Sequence, residues 1–112
     1  MRKIAFFPFK GDKMCFVHVL INAIDLHEKG IETKIILEGE AVKLIQPLTE
    51  EENSLYLKAK ELGLFDSICK ACSAQMGVLE YNEKSGIPIK GNAKGHPGMY
   101  DYIKEGYEII TL

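Results

Sequence analysis

The chain has 112 residues, of which 46% are hydrophobic and 27% charged, and its formal net charge is -2. This length fits one compact domain and is too short for two, because typical domains have about 100–150 residues. The composition is that of an ordinary globular protein and excludes a disordered chain, a collagen and a coiled coil. Arg2 is the single arginine, and positive charge is not in excess, so we expect no direct binding to nucleic acid.

The first third of the chain is predicted to contain two strands separated by a long helix. Residues Lys3 to Phe9 form an apolar, aromatic-rich run that is typical of a buried strand. Apolar residues then recur at helical spacing from Lys13 to Lys29, where Asp12 can cap the helix and Gly30 can end it. The second strand is predicted over Glu32 to Glu38.

The middle of the chain is predicted to be helical. A short helical turn is expected over Glu40 to Ile45, and Pro47 is expected to end it. Thr49 and Glu52 have the spacing of a capping box, in which each side chain bonds to the backbone amide of the other. They predict the start of a helix that continues to Gly63.

The last part of the chain again alternates strands and helices. A brief strand is predicted over Asp66 to Ala71, followed by a helix that Ser73 caps and that runs to Gly86. Ile87 to Lys90 contains a proline and is predicted as an edge strand. A short helix from Pro97 to Gly106 and a final strand from Tyr107 to Leu112 complete the chain.

This alternation predicts an α/β fold in which helices cover both faces of a parallel sheet, because right-handed crossovers place them there. Functional side chains in such folds gather at the carboxyl ends of the strands. The loops after Phe9, Glu38 and Cys69 are therefore the expected walls of a site.

Two cysteines lie at one of these loops. Cys72 is expected in the first turn of a helix, where free backbone amides and the helix dipole favour a thiolate. Cys69 is expected at the end of the preceding strand, close enough to act as a resolving or relay thiol. The alternative is that the pair has no chemical role, since free cysteine is often a buried small hydrophobic residue.

The same pair could instead hold a metal ion. A tetrahedral site needs four ligands, and Cys69 and Cys72 supply two of them. Cys15 and His18 are three residues apart on the first helix and could converge on the pair to complete a zinc or iron site. The alternative for Cys15 and His18 is an ordinary place within an apolar helix.

His96 is the third candidate site residue. It lies in the segment Gly95-His-Pro-Gly98, whose glycines and proline favour a shaped, exposed loop. The imidazole could orient a thiol or an anionic substrate, or it could simply bond to a backbone carbonyl. The glycines of this loop fit neither of the common nucleotide-binding motifs, so a nucleotide cofactor is not expected.

The sequence resembles the DsrE-like (DsrE/DsrF/YchN) family of small sulfur-handling proteins over nearly its whole length. The resemblance rests on four features: the opening strand Lys3-Ile-Ala-Phe-Phe7, the long first helix, the junction Ile68-Cys-Lys-Ala-Cys-Ser-Ala-Gln-Met-Gly77, and the ending Tyr102-Ile-Lys-Glu-Gly-Tyr-Glu-Ile-Ile-Thr111. It implies one domain over residues 1–112, with a three-layer α/β/α sandwich and a mostly parallel sheet of about five strands. It also implies assembly into oligomers.

The resemblance further implies a cysteine persulfide at the junction. Spacing back from Gly77 favours Cys69, whereas the helix start favours Cys72, so both are candidates. We therefore expect a sulfur carrier without a cofactor, in which Cys69 or Cys72 accepts sulfane sulfur and His96 assists. Its partners are expected to be thiol-bearing donor and acceptor proteins and further copies of the chain.

The expected location is the cytoplasm. Three cysteines, two of them closely spaced, are unlike a secreted disulfide framework, and the apolar runs are too short to span a membrane. The amino terminus is interpreted as a strand and not as a signal peptide, since no small-residue cleavage site follows it. Besides metal binding, the alternative function is a non-catalytic subunit in which Phe65, Tyr100 and Tyr107 lie between protomers.

Overall fold

The structure is a computed structural model that describes residues 2–112. Within these residues, five strands and six α-helices alternate along the chain, with one 3-10 helix over Gly39–Leu44. The strands are β1 (Lys3–Phe7), β2 (Glu32–Leu37), β3 (Phe65–Cys69), β4 (Ile89–Lys90) and β5 (Tyr107–Thr111). The helices are α1 (Lys13–Glu28), α2 (Ile45–Glu50), α3 (Ser54–Glu61), α4 (Lys70–Gln75), α5 (Leu79–Glu83) and α6 (Met99–Lys104).

The strands form one parallel sheet in the order β4-β3-β2-β1-β5. One face is covered by α1, the 3-10 helix, α2 and α3, which bury Phe6 and Leu37 of the sheet in the larger apolar core. The other face is covered by α6, whose Tyr102 packs with Phe7 and Ile36. The predicted α/β fold, a three-layer sandwich around a parallel sheet of five strands, is confirmed.

The long first helix is confirmed with its predicted cap. The Asp12 carboxylate accepts a hydrogen bond from the backbone amide of Cys15 at 3.0 Å, and α1 runs for 16 residues. Gly30 follows the helix with a φ of +87°, a conformation that glycine adopts without strain. No helix within residues 2–112 combines the length and the apolar character needed to cross a membrane.

The prediction for the middle of the chain is wrong at both helix boundaries. Pro47 is the third residue of α2 and does not end a helix, because amides in a first turn have no partner to lose. Thr49 lies inside α2 and donates to the carbonyl of Ile45, so it forms no capping box with Glu52. Asn53 caps α3 instead, accepting from the amide of Tyr56 at 3.0 Å.

The single helix predicted from Ser73 to Gly86 is also wrong. It is two short helices, α4 and α5, interrupted at Gly77, which has a φ of +74°. The residue that caps α4 is Cys69, and Ser73 is buried within α4, where its hydroxyl accepts a hydrogen bond from Asn82. The interruption leaves α4 as a one-and-a-half-turn helix that carries Cys72 in its first turn.

Two of the three aromatic residues expected between protomers lie inside the chain's own core. Phe65 is buried and stacks on Phe16, while Tyr107 is buried against Tyr102. Each ring belongs to a core cluster of this chain, so it is already packed. Tyr100 is exposed, as that interpretation requires.

Candidate functional site

Four side chains that suit metal or thiol chemistry meet at the carboxyl ends of β2 and β3. Their ligand atoms all lie within 4.8 Å of one another. Adjacent parallel strands bring Glu38 and Cys69 together, because Leu37 of β2 pairs with Ile68 of β3. Glu38 directly follows β2, and Cys69 is the last residue of β3. We call this group the four-donor cluster; its members are Glu38, Cys69, Cys72 and His96.

The two predicted cysteines are held by backbone amides. Cys69 is the last residue of β3 and the cap of α4, and its sulfur accepts from the amide of Cys72 at 3.4 Å. The Cys72 sulfur accepts in turn from the amide of Gly39 at 3.3 Å. Gly39 has a φ of +54°, and a Cβ there would lie 2.8 Å from the carbonyl oxygen of Phe9. A glycine is therefore required at the position whose amide reaches Cys72.

Cys69 and Cys72 differ in exposure. Cys69 is completely buried, and burial, with the neighbouring Cys72 and Glu38, raises the pKa of its thiol to about 12. The amide of Cys72 opposes this rise by donating to the Cys69 sulfur. Cys72 is half-buried, so its sulfur is the more accessible of the two.

His96 joins the cluster from a loop distant in sequence. Its Nδ1 lies 3.0 Å from the Cys69 sulfur and 3.6 Å from the Cys72 sulfur. An antiparallel bridge between Ala93 and His96 shapes the loop, and the carbonyl of Gly95 anchors it by accepting from the amide of Ala71 at 2.9 Å. The predicted site residues Cys69, Cys72 and His96 are thus in mutual contact.

Glu38 is the member of the cluster that sequence reasoning missed. Its side chain is only 9% exposed, and one carboxylate oxygen lies 3.5 Å from His96 Nδ1. Burial raises the pKa of Glu38, against the opposing effect of His96. The available signal was its position, since an acidic residue directly after a buried strand lies at the edge of the sheet where sites form.

Cys15 and His18 do not join this cluster. Both are exposed on α1, and they line a separate cavity of about 260 Å³ with Pro8, Phe16 and Leu112. That cavity lies beside the carboxyl ends of β1 and β5, whereas the cluster lies at β2 and β3. The predicted metal set that combined these two residues with the cysteine pair is therefore not formed.

Comparison with known proteins places the chain in a family of uncharacterized proteins. No protein-family model matches the chain. The chain is 35% identical over 96 residues to the uncharacterized protein MJ0733 of Methanocaldococcus jannaschii, a match that covers 86% of this chain and 78% of that protein. The chain belongs to the MJ0733 family. A further relative in Archaeoglobus fulgidus, also uncharacterized, is 39% identical over 57 residues, which are 51% of this chain and 90% of that protein.

A solved structure shares the fold of this MJ0733-family chain. It is the conserved protein of unknown function BT1422 from Bacteroides thetaiotaomicron, with a TM-score of 0.77 and 22% sequence identity. The match covers 98% of this chain and 94% of that protein, so the whole sandwich is common to both. At this identity the likeness establishes the fold alone.

Proposed function

We propose that this chain is a sulfur carrier that accepts sulfane sulfur on Cys72 as a persulfide and passes it to a thiol-bearing partner. The observation that carries the proposal is the setting of the Cys72 thiol, which is half-buried with the Gly39 amide 3.3 Å and His96 Nδ1 3.6 Å from its sulfur. The resemblance of the junction around Cys69 and Cys72 to the DsrE-like family supports the same chemistry.

Accessibility favours Cys72 over Cys69 as the acceptor. A donor persulfide must bring its terminal sulfur into line with the attacking thiolate, and the completely buried Cys69 offers no approach. The Cys72 sulfur accepts a hydrogen bond from the Gly39 amide, which comes from a different segment of the chain. A donor at this position stabilises negative charge on the sulfur.

The proposed transfer needs no oxidant or reductant. His96 Nδ1 takes the proton of the Cys72 thiol, and the resulting thiolate attacks the terminal sulfur of a donor persulfide. A bond forms between the Cys72 sulfur and this sulfur while the sulfur–sulfur bond of the donor breaks. The donor leaves as a thiolate, which takes the proton from His96, so that one thiol and one persulfide yield one persulfide and one thiol.

Cys69 is proposed to limit the lifetime of the persulfide. The two cysteine sulfurs lie within 4.8 Å of each other, so the Cys69 sulfur can attack the Cys72 sulfur of the persulfide. This step forms a disulfide between the two cysteines and releases hydrogen sulfide, again with atoms and electrons balanced. A reducing compartment such as the cytoplasm, which we propose as the location, would return both residues to thiols.

The test is intact-protein mass spectrometry of the native chain after incubation with glutathione persulfide. We expect a gain of one sulfur atom that dithiothreitol removes. The gain is expected to be lost in Cys72→Ser and to persist longer in Cys69→Ser than in the native chain, because the discharge step is removed.

Cys15→Ser is the matched control, since Cys15 is an exposed cysteine outside the cluster. It should leave the labile sulfur in place, which would separate carriage at the site from unspecific reaction of any exposed thiol. Full sulfur acceptance by Cys72→Ser, or loss of acceptance in Cys15→Ser, would contradict the proposal.

A further inference from the structure

The four-donor cluster has the chemistry of a transition-metal site. It offers two sulfurs, one imidazole nitrogen and one carboxylate oxygen, and these are the atom types that bind zinc in proteins. They come from three separate segments of the chain, which are the end of β2, the junction between β3 and α4, and the loop before α6. Such convergence of unlike segments is what distinguishes a built site from an accidental pair on one helix.

The distances from His96 Nδ1 to the other three donors are close to those of tetrahedral coordination. Zinc bonds of about 2.0–2.3 Å place neighbouring ligand atoms about 3.3–3.8 Å apart around a tetrahedral ion. His96 Nδ1 lies 3.6 Å from the Cys72 sulfur, 3.5 Å from Glu38 Oε1 and 3.0 Å from the Cys69 sulfur. The distances to Cys72 and Glu38 match, and the distance to Cys69 requires the sulfur and the ring to move apart by about half an ångström.

Among the described residues, the carboxylate of Glu38 has only an imidazole as a charge partner. Burying an ionised carboxylate is costly unless it is paired with a cation. Within residues 2–112, the ion pair of Glu38 is with His96 alone, at 3.5 Å, and it requires a protonated ring. A metal ion held between the two side chains would balance the carboxylate while the ring stays neutral.

The surroundings of the sulfurs also suit metal-bound thiolates. The amides of Gly39 and Cys72 donate to the sulfurs of Cys72 and Cys69, respectively. Hydrogen bonds of this kind orient ligands and stabilise their negative charge, as the outer groups of metal sites do. The cluster thus has both a set of ligands and groups that hold them.

We propose that the four-donor cluster binds one zinc-like divalent ion in tetrahedral geometry. The inference goes beyond sulfur carriage and does not depend on it. It has one consequence for that function: a metal bound to the Cys72 sulfur occupies the thiolate that would attack a persulfide. Metal and sulfane sulfur therefore exclude each other at this site.

The test is titration of the reduced, metal-free full chain with Co²⁺, followed by competition with Zn²⁺. We expect one Co²⁺ per chain, with the strong visible bands of a tetrahedral ion and the near-ultraviolet absorption of thiolate ligation. Cys69→Ser and Cys72→Ser should each weaken binding by more than about 100-fold, since changes even to outer groups cost about 10–100-fold. Glu38→Gln and His96→Phe, which alter the two remaining donors, should also weaken it.

Controls separate the cluster from other thiols and from unfolding. Cys15→Ser and His18→Asn alter the other Cys and His pair and should leave Co²⁺ affinity unchanged. The melting temperature of each metal-free variant checks that it folds. The proposal would be overturned by the absence of stoichiometric binding, by native affinity in Cys69→Ser and Cys72→Ser, or by loss of binding in the controls.

A competition assay tests metal binding and sulfur carriage separately. One equivalent of Zn²⁺ should suppress the gain of sulfur from glutathione persulfide, and a chelator should restore it. Sulfur gain in a chain that binds no metal would overturn the metal site and leave sulfur carriage intact. Metal binding in a chain that never gains sulfur would overturn sulfur carriage and leave the metal site intact.

Discussion

Two acids at the sheet, the buried Glu38 and the partly buried Asp66, have opposite environments. Their side chains are similarly hidden, with exposed fractions of 9% and 14%. Asp66 lies near two lysines and accepts hydrogen bonds from a tyrosine and a serine. Within residues 2–112, the one ion pair of Glu38 is with His96. Their pKa values move in opposite directions, being lowered for Asp66 and raised for Glu38.

The environment of Asp66 follows from an irregularity in the sheet. The register between β2 and β3 shifts so that Asp66 is an extra residue between the pairs Ile35–Phe65 and Ile36–Ser67. Such a bulge redirects a side chain. Here it allows Asp66 and Ser67 to share the face on which α6 places Tyr102.

The difference separates a structural charge from one available for function. Asp66 is neutralised by its own chain, with Lys90 at 3.1 Å and Lys34 at 3.5 Å, so its network needs nothing further. Burial of Glu38 disfavours its ionised form, and the opposing effect of His96 does not fully compensate, so the pKa of Glu38 is raised. Buried groups that the fold leaves incompletely paired are where ligands or reactions are expected.

The largest expected effect is on stability, from Asp66→Asn. This change removes charged hydrogen bonds and should lower the free energy of unfolding by about 2 kcal/mol. Glu38→Gln should change it by less than about 1 kcal/mol in metal-free protein, because the lost charge was buried and poorly paired. Urea denaturation of both variants measures the difference.

If Asp66→Asn and Glu38→Gln lowered the free energy of unfolding equally, the proposed difference between the two acids would be wrong. Tyr102→Phe serves as a check on the network, since it keeps the ring on the sheet and removes the hydroxyl that donates to Asp66. Tyr102→Phe should lower the free energy of unfolding by part of the amount that Asp66→Asn does. The double variant should lose less than the sum of the two single changes, because both act on the same network.

The second effect is on the pH dependence of stability. Burial opposes the charge of Asp66, but hydrogen bonds from Tyr102, Lys90 and Ser67, with Lys34 nearby, hold its pKa below 3.8. Its contribution is therefore fully present above pH 3.8 and is lost as the pH falls through the lowered pKa of the folded state. The stability gap between the native chain and Asp66→Asn should shrink as the pH falls from about 5 to about 2.

Measuring this gap, rather than the native chain alone, removes the contributions of the exposed carboxylates, which both proteins share. A gap that stayed constant over this range would show that the charge of Asp66 does not stabilise the fold.

The smallest expected effect is on Co²⁺ binding, and it is tested by comparing two glycines with similar φ angles. Gly95 and Gly30 have φ values of +93° and +87°, so alanine at either position should cost about 1–2 kcal/mol. A Cβ at Gly95 would also lie 3.0 Å from the Cβ of Ala71, whereas a Cβ at Gly30 meets nothing within 4 Å. Gly95→Ala should therefore displace His96 and weaken Co²⁺ binding, while Gly30→Ala should leave binding unchanged.

Binding that is weakened equally by both glycine variants would indicate a general loss of stability. Binding that neither variant changes would show that the loop tolerates the shift without moving His96. The comparison thus tests whether Gly95 holds His96, the ion-pair partner of Glu38, in position.

The sequence predicted the elements that have strong local signals. Asp12 and Gly30 mark the ends of α1 because a capping carboxylate and a left-handed glycine act within one helix. The spacing of Thr49 and Glu52 fits a capping box, but the helix begins later. Asn53, four residues after Thr49, has a side chain that accepts from the amide of Tyr56 and caps α3. Local signals also misled at Ser73, since Cys69 already caps that helix.

The sequence by itself determined the alternation of strands and helices, and with it the parallel sheet and the edge where Cys69 and Cys72 lie. Periodicity and caps are short-range, so they can be read without knowing what each segment touches. Only the tertiary structure decided that Glu38 and His96 join the cysteines while Cys15 and His18 do not. Contacts between segments tens of residues apart depend on strand order and loop shape, which no local spacing encodes.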